Sequence, residues 1–471
     1  MIKSSKISRK EFLKASAALA GVFILPAHIA LGKSSGQLPP SELISFAAIG
    51  IGKQGGQNIT SLLSTGMTRL VAVCDAHLQD TEPQKVIAAH PKVPTFTDFR
   101  EMLDRHGNEI DAVLIATPDH AHFSATMLAM SMGKHVYVQK PLAPTFGQCE
   151  RLMKMEQKTG VVTQMGNQGH SGANYFQFKA WTEAGIIQDV RKIDAWFGAN
   201  EILGLRGETF KQYPTDPLPE GLDWDQWIDG APMIPYSLKI HPRLWRNWYD
   251  IGGGALGDWG AHIIDTAHRF LKLGLPEKIT AVDRVGVNQF VFPKATTLRF
   301  DFPARETMPP CVINWYDGAD NLPKVPNEYG DLTPSGERKP VKLDRSGKII
   351  YGKDLIFRGT SHASTLRIIP RDKMIEVYDS LPKFGKEESR YITPGHFKNF
   401  VLACRGEETA RSPFSISGPL CQVLNLGIIA QRLGGVLHFD RNKKRFTNNS
   451  HANTLLDPPP REGWEDYFKM V

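Results

Sequence analysis

One stretch, Gly257-Asp258-Trp259-Gly260-Ala261-His262-Ile263-Ile264-Asp265, holds residue types at a spacing that could do chemistry. Asp258 and His262 are four residues apart, so on a helix they stand one above the other, and Asp265 continues that face. A histidine titrates near neutral pH, and a carboxylate beside it fixes its orientation. Such a pair suits a general base that takes the hydroxyl proton of a carbinol while a hydride leaves the same carbon. Two plainer roles fit the same spacing: Asp258 as a helix N-cap, or an Asp/His pair on a metal. A further candidate is Lys140, in Gln139-Lys140-Pro141 directly after an apolar run. A lysine at a strand end is placed to touch a ligand, and a surface lysine before a turn fits equally well.

Those groups need a partner that accepts a hydride, and the chain carries a binding pattern for one. Gly50-Ile51-Gly52-Lys53-Gln54-Gly55 is a G-x-G-x-x-G between an apolar run ending at Ile49 and a helical pattern. Gly50 permits the tight turn, Gly52 lets backbone approach a pyrophosphate, and Gly55 allows close helix–strand packing. The next strand ends at Cys74-Asp75, twenty residues past Gly55. An acid there binds ribose hydroxyls. Neither Ala76 nor His77 is an arginine that could take a 2′-phosphate, so the pattern reads as NAD, with NADP less favoured. Later strand ends, Thr117-Pro118-Asp119-His120-Ala121-His122 and Gln139-Lys140-Pro141, line the same crevice, because ligands bind beyond the carboxyl ends of parallel strands.

The elements that must position these groups follow from the pattern. Apolar runs at 43–49, 70–74, 112–117, 135–138 and 161–165 alternate with helical patterns around 54–65, 98–105, 121–132 and 146–159. Continuous apolar strands alternating with helices predict an α/β, doubly wound parallel sheet over residues 43–165. Asp98 reads as an N-cap, and Gly107 and Gly160 as helix stops. A second domain, 166–471, reads as α+β with a largely antiparallel open sheet: strands at 190–197, 279–287, 295–302, 312–315, 355–358 and 366–369, and helices around 258–272, 395–404 and 415–433. The Pro-, Gly- and Trp-rich stretch 204–243 reads as an irregular flap over the crevice, and 317–347 as a polar, Pro-rich excursion. Trp245, Trp248 and Trp259 surround a glycine-rich turn. Indole faces pack on sugar C–H faces, and core packing explains each of them as readily.

In order along the chain, Gly50–Gly55, Cys74-Asp75, the T-P-x-x-x-H stretch Thr117–His122 and Lys140-Pro141 resemble the Gfo/Idh/MocA oxidoreductases. Met165–His170, Leu222–Trp227, and Trp245-Arg246 through Gly252-Gly253-Gly254 resemble a subgroup with exported members. The family usually reads E-K-P where this chain has Gln139-Lys140-Pro141, so no role passes to Gln139. The resemblance implies an NAD-binding Rossmann domain with Gly50, Gly52, Gly55, Asp75, Thr117, Pro118, His122 and Lys140 at the cofactor. It implies that His262 is the general acid/base, that Asp258 orients it, and that Lys140 polarises the reacting hydroxyl beside the nicotinamide. Asn167, Trp245, Arg246 and Asp265 are candidates for substrate contact, and a salt bridge or a helix-surface role fits Arg246 and Asp265 equally. The expected activity is NAD-dependent oxidation of a secondary alcohol of a sugar, polyol or glycoside, or the reverse. The alternatives are an NAD-retaining, redox-assisted glycoside hydrolase or lyase, and a non-catalytic nucleotide-binding protein.

Composition narrows the partners. At 471 residues, 41% hydrophobic and 22% charged, the chain is an ordinary globular one with room for two domains. Of its formal +7, the first 36 residues hold +5, from Lys3, Lys6, Arg9, Lys10, Lys14 and Lys33 against Glu11 alone, leaving +2 for the rest. Bulk charge therefore supports no nucleic-acid partner. Basic residues before the apolar run Ala15–Ile29, too short for about 30 Å of hydrocarbon, read as an export signal and not a membrane span. Ser8–Lys14 resembles a twin-arginine motif with Lys10 in place of the second arginine, which points to the periplasm. Five cysteines without CxxC pairs or zinc spacing read as core thiols, with no metal expected. An open sheet face in the second domain reads as a homo-oligomer contact.

Overall fold

Each apolar run between residues 43 and 165 contributes a largely buried strand, and Gly50 and Asp75 follow the first two where the chain turns. The computed structural model describes residues 39–198, 203–382 and 395–471, so the export-type segment 1–36 lies outside the described residues. The first elements are β1 (Ile44–Ile49), α1 (Lys53–Leu63), β2 (Thr68–Cys74), α2 (Thr81–Ala89), β3 (Thr95–Phe96), α3 (Phe99–His106), β4 (Ala112–Ile115), α4 (His122–Ser131), β5 (His135–Val138), α5 (Phe146–Thr159) and β6 (Thr163–Met165). The six strands form one parallel sheet in the order β3-β2-β1-β4-β5-β6. The order reverses between β1 and β4, and that switch point opens the crevice. Asp98 caps α3 by accepting the Arg100 N–H at 2.8 Å, and Gly160 ends α5 at φ 66°. Two elements escape the sequence reading, α2 and β3. Pro83 interrupts the helical pattern of the first, and the second is two residues long.

The second half contains α6 (Ala173–Glu183), β7 (Lys192–Phe197), α7 (Trp224–Ile228), α8 (Gly254–Ile263), α9 (Asp265–Phe270), β8 (Lys278–Val285), β9 (Ala295–Phe302), β10 (Cys311–Asp317), β11 (Ser346–Tyr351), β12 (Ile356–Gly359), β13 (Arg367–Ile369), α10 (Arg371–Val377), α11 (Gly395–Cys404), α12 (Phe414–Leu433), β14 (Val436–Asp440) and β15 (Arg445–Phe446). Nine strands form one sheet, β13-β12-β11-β7-β10-β9-β8-β14-β15. All neighbours are antiparallel except β7 and β10. Its inner face carries Ile193, Ala195, Phe197, Leu298, Phe300, Ile313 and Trp315, all buried in one core with residues of α8 and α12. Helix α12 is long and apolar enough to cross a membrane, yet most of it is buried inside the protein, as a core helix requires. All five cysteines are free thiols, four of them buried.

Two expectations need correction here. The polar excursion ends early, because β11 occupies 346–351 inside the sheet, between β12 and β7. Lys348 sits at an inward position of that strand and breaks the apolar signature. The expected single helix at 258–272 is two, α8 and α9, and α8 starts four residues earlier. Asp258 therefore lies inside the helix and is not its N-cap.

The stretch after Leu203 is irregular apart from α7 and carries a small core of its own, including Leu222, Trp227, Ile234, Tyr236, Trp245 and Trp248. Trp248 is fully buried against Phe210 and Tyr213, so of the three tryptophans proposed for sugar contact it packs the flap. His120, at the end of β4, points one ring nitrogen at Trp227 O, 2.7 Å away, and the other at Ile251 O, 3.1 Å away. Asp223 N–H donates to Ala76 O at 2.9 Å. These bonds hold the flap against the carboxyl ends of the parallel strands.

Candidate active site

A cleft of about 320 Å³ runs along those strand ends. Gly50, Gly52, Asp75, Thr117, Pro118, Lys140, Trp245 and Arg246 line it from the sheet side and the turn beyond, and Gln226, Trp227, Asp229 and His241 line it from the flap. The first turn is built for glycine. Gly50 has φ 78°, and a β-carbon at Gly55 would lie 2.0 Å from the Gly50 carbonyl oxygen. A β-carbon at Gly52 would meet nothing within 4 Å, so this position opens on the cleft. Asp75 spans the turn: its Oδ2 accepts the Ile51 N–H at 2.8 Å and its Oδ1 the His77 N–H at 3.0 Å. His122 is absent from the lining. It is buried, and its ring nitrogens face Pro141 O at 2.7 Å and Thr117 O at 3.0 Å. Burial pushes its pKa down to about 4, so the neutral ring donates to one of the two and ties together the strand ends that present Thr117 and Lys140.

At the far end of the cleft, Lys140 from the end of β5 meets α8. Its ammonium is ion-paired with the Asp258 carboxylate and also donates to Asp258 O at 3.2 Å. Arg246 Nε lies 3.3 Å from the same carboxylate oxygen, with its guanidinium 4.1 Å above the Trp245 ring. Burial alone would raise the pKa of Asp258; Lys140 and Arg246 outweigh it and hold the acid below the usual carboxylate range. That pairing occupies Asp258, which leaves a metal-ligand role without support. One turn further on, His262 is held well below the ordinary histidine value by burial first and then by the Lys140 charge. It is therefore neutral at pH 7, and its Nδ1 has no hydrogen-bond partner among the described residues. A neutral imidazole beside an ammonium–carboxylate pair can accept a proton without first losing one.

The remaining substrate candidates also come together. Asp265 Oδ2 accepts from Asn167 Nδ2 at 3.0 Å, and Oδ1 lies 2.7 Å from His170 Nδ1. Arg269 donates to His170 Nε2 at 2.6 Å, so the imidazole carries its proton on Nδ1 and donates to Asp265. Asp265 thus acts through Asn167, whose buried Oδ1 is left without a partner among the described residues.

Residues 44–167 match the model described as "Oxidoreductase family, NAD-binding Rossmann fold", and residues 203–281 and 414–466 the one described as "Oxidoreductase family, C-terminal alpha/beta domain". The chain belongs to the Gfo/Idh/MocA oxidoreductase family. Among curated relatives, glycosyl hydrolase family 109 protein 1 from Shewanella sp. (strain ANA-3) is 29% identical over 175 residues, 32% of this chain and 38% of that protein. The 4-carboxy-2-hydroxymuconate-6-semialdehyde dehydrogenase from Sphingobium sp. is 30% identical over 122 residues, 26% of this chain and 38% of that one. The chain therefore matches well under half the length of these relatives. The fold is similar to that of the WlbA dehydrogenase from Chromobacterium violaceum in complex with NADH and UDP-GlcNAcA, with a TM-score of 0.55 at 15% identity over 86% of this chain and 98% of that one.

A nicotinamide dinucleotide fits this Gfo/Idh/MocA cleft on the protein's own atoms. The opening at Gly52 admits a pyrophosphate, and Asp75 stands at the ribose position. Three buried polar atoms near the strand ends have no partner among the described residues: Thr117 Oγ1, Asp119 Oδ2 and Gln139 Nε2. Unpaired buried groups of this kind are costly, and a polar ligand removes the cost. Asp119 is a residue the motif reading passed over. Burial pushes its carboxyl up to about 7 against the charges of Arg246 and Lys140, so it can donate or accept at neutral pH.

Two more residues of the site lie where no motif pointed. Lys348, on β11 beside Ala195 of β7 and Gly359 of β12, is buried with no hydrogen bond or ion pair to its ammonium among the described residues. Burial lowers its pKa to about 8, and the Asp265 charge opposes that fall. His362, from the loop between β12 and β13, stacks on His262 with ring centroids 4.0 Å apart. A lysine among apolar strand residues was the available signal for the first. For the second, a histidine in a Gly-Thr-Ser-His-Ala-Ser-Thr loop, the sequence carries none.

Proposed function

We propose that this protein is an NAD-dependent oxidoreductase that acts on a secondary alcohol of a sugar, polyol or glycoside. The observation that carries the reading is the neutral His262, its Nδ1 without a hydrogen-bond partner among the described residues, beside the pair that Asp258 forms with the cleft-lining Lys140. When bound, the nicotinamide supplies the hydride acceptor or donor. His262 takes the proton of the reacting hydroxyl, and Asp258 keeps Lys140 and Arg246 turned toward the same point. Lys140 supports the developing negative charge on oxygen. Asn167 Oδ1 and the Lys348 ammonium are polar atoms that a polyhydroxylated ligand would satisfy. Asp75, with no arginine beside it, favours NAD over NADP. The test is mass spectrometry of the purified protein for retained nucleotide, then absorbance at 340 nm on mixing with sugars and glycosides. A cofactor that no sugar or glycoside reduces would sink the reading.

A second reading, glycoside cleavage with retained NAD and no net redox change, is favoured by the glycosyl hydrolase family 109 relatives. Monosaccharide released without added NAD, and without accumulating NADH, would select it. Export rests on residues 3–29 and is tested by N-terminal sequencing of protein recovered from the periplasm; an intact Met1 terminus there would count against processing. A second copy of the chain is the expected partner of the open sheet, where Val282 and Val285 of β8 are exposed. Light scattering checks it, and a monomer at micromolar concentration would reject it.

A further inference from the structure

Two imidazoles stack beside the Lys140–Asp258 pair, and oxidation of a carbinol uses one. His362 is exposed, and its ring lies over that of buried His262 with an interplanar angle of 21°. Trp259 meets it edge-on at 5.6 Å. The loop that carries His362 is held in a demanding shape. Its φ of 55° is the left-handed region, which is unfavourable for a residue with a β-carbon and persists where surroundings impose it.

Those surroundings are specific. The His362 N–H donates to His262 O at 3.3 Å, and the Asn174 N–H donates to Ala363 O at 3.3 Å. On the other side, a β-carbon at Gly169 would stand 2.8 Å from His362 O, and one at Gly172 would stand 2.3 Å from the Ala363 β-carbon. Gly169 and Gly172 therefore make room for this loop, a purpose that nucleotide binding does not supply. His362 Nδ1 lies 2.9 Å from Ser361 Oγ, and Nε2 has no partner among the described residues. Partial desolvation where the ring lies on His262, together with the Lys140 charge, keeps the ring below the ordinary histidine value, so it too is neutral at pH 7.

We propose that His362 is a second acid/base residue, which removes and returns the hydrogen on the sugar carbon next to the carbonyl that forms at His262. The proposal rests on the oxidoreductase reading above, with the nicotinamide as the oxidant that generates the ketone. In the step itself the neighbouring C–H bond breaks and its proton goes to His362 Nε2. Its electron pair becomes a carbon–carbon double bond as the carbonyl pair moves onto oxygen, where Lys140 holds the charge. Proton return restores the ketone. Where the next carbon bears a glycosidic oxygen, the same electron pair expels it, and the departing alkoxide takes the proton held by His362. Neither course changes the oxidation level of the ketone as a whole. The second course is the proton transfer that glycoside cleavage needs.

The test incubates the holoenzyme in D₂O with 4-nitrophenyl and methyl glycosides of glucose, galactose, N-acetylglucosamine and N-acetylgalactosamine. Cofactor reduction is followed at 340 nm, and recovered glycoside is examined by NMR. The expected result is deuterium on the carbon adjacent to the one oxidised. In His362→Asn and His362→Ala that exchange falls about 100-fold or more, and at least about tenfold further than cofactor reduction does. Gly169→Ala, which pushes the loop from its place, lowers exchange more than reduction as well. Cofactor reduction by the wild type with no deuterium uptake overturns the proposal. Equal loss of both signals in His362→Asn, with circular dichroism and nucleotide content intact, also overturns it, because His362 would then only position His262. If no glycoside reduces the cofactor, the oxidoreductase reading fails first and this one with it.

Discussion

The two sides of the cleft are built by different means. On the nucleotide side, Gly50–Gly55, Asp75, Thr117 and Lys140 all sit at the carboxyl ends of successive parallel strands, and backbone does most of the work. On the side proposed for substrate, Arg246, Asp258, His262, Asn167, Lys348 and His362 come from a turn, a helix, a strand and two loops, and charged and polar side chains predominate. A backbone site depends on the shape of the turn, so it fails through added atoms. A side-chain site depends on charge and proton affinity, and it fails through deletion with the fold intact.

The contrast is broken most severely at Gly55. Gly55→Ala places a β-carbon 2.0 Å from the Gly50 oxygen, and the expected result is protein with no retained nucleotide and a lower Tm. Gly52→Ala has room in the fold, so its Tm should match the wild type while nucleotide affinity falls about 10- to 100-fold. Calorimetry and nucleotide release separate the two. Should Gly52→Ala retain full affinity, the opening at that position is not the phosphate cradle.

His262→Ala should lower turnover about 100-fold or more with nucleotide content close to wild type. Unchanged turnover would remove His262 from the proton-transfer role. A milder effect lies in pH. A base must be deprotonated to work, so rate is lost as pH falls through its pKa. Burial and Lys140 place that pKa well below the ordinary histidine value, hence kcat/KM should hold level from pH 8 down to pH 6.5. A midpoint near 6.5 would mean His262 is exposed to water in solution.

The smallest expected change concerns the seam between flap and parallel sheet. Asp229 is buried at φ 55° and accepts from Ser124 Oγ at 2.6 Å. Burial pushes its pKa up to about 7. An acid that holds its proton more tightly when folded stabilises the protein below pH about 4, and that stability is lost as pH rises toward 7. An asparagine side chain at this position would mimic the protonated acid, and the backbone at φ 55° and ψ −141° burdens both residues alike. Asp229→Asn should therefore match the wild-type Tm at pH 4.5 and exceed it by a few degrees at pH 8. Equal Tm values at pH 8 would place Asp229 in water.

The parallel sheet was almost wholly legible because its signals are local. Five of its six strands are continuous apolar runs, and β3 was missed for lack of length. In the second half, β11 was hidden because Lys348, a buried charge, interrupts its apolar pattern. Helix α8 was placed four residues late, since Gly254, Ala255, Leu256 and Gly257 carry no cap or periodic signal.

Spacing along the chain sufficed for the fold of the nucleotide half, for the place of Asp75 and Lys140 at its rim, and for the Asp258–His262 pair on one helix face. In each case the residues are neighbours in sequence or lie at equivalent ends of one repeating unit, so the backbone geometry carries the inference. Which carboxylate Lys140 meets, what Asp265 holds in place, and which ring covers His262 depend on segments about 100 residues apart meeting in space. No local pattern encodes those meetings. They follow from the packing of α8, α9 and the loops around them, where burial and charge select a partner that distance along the chain does not reveal.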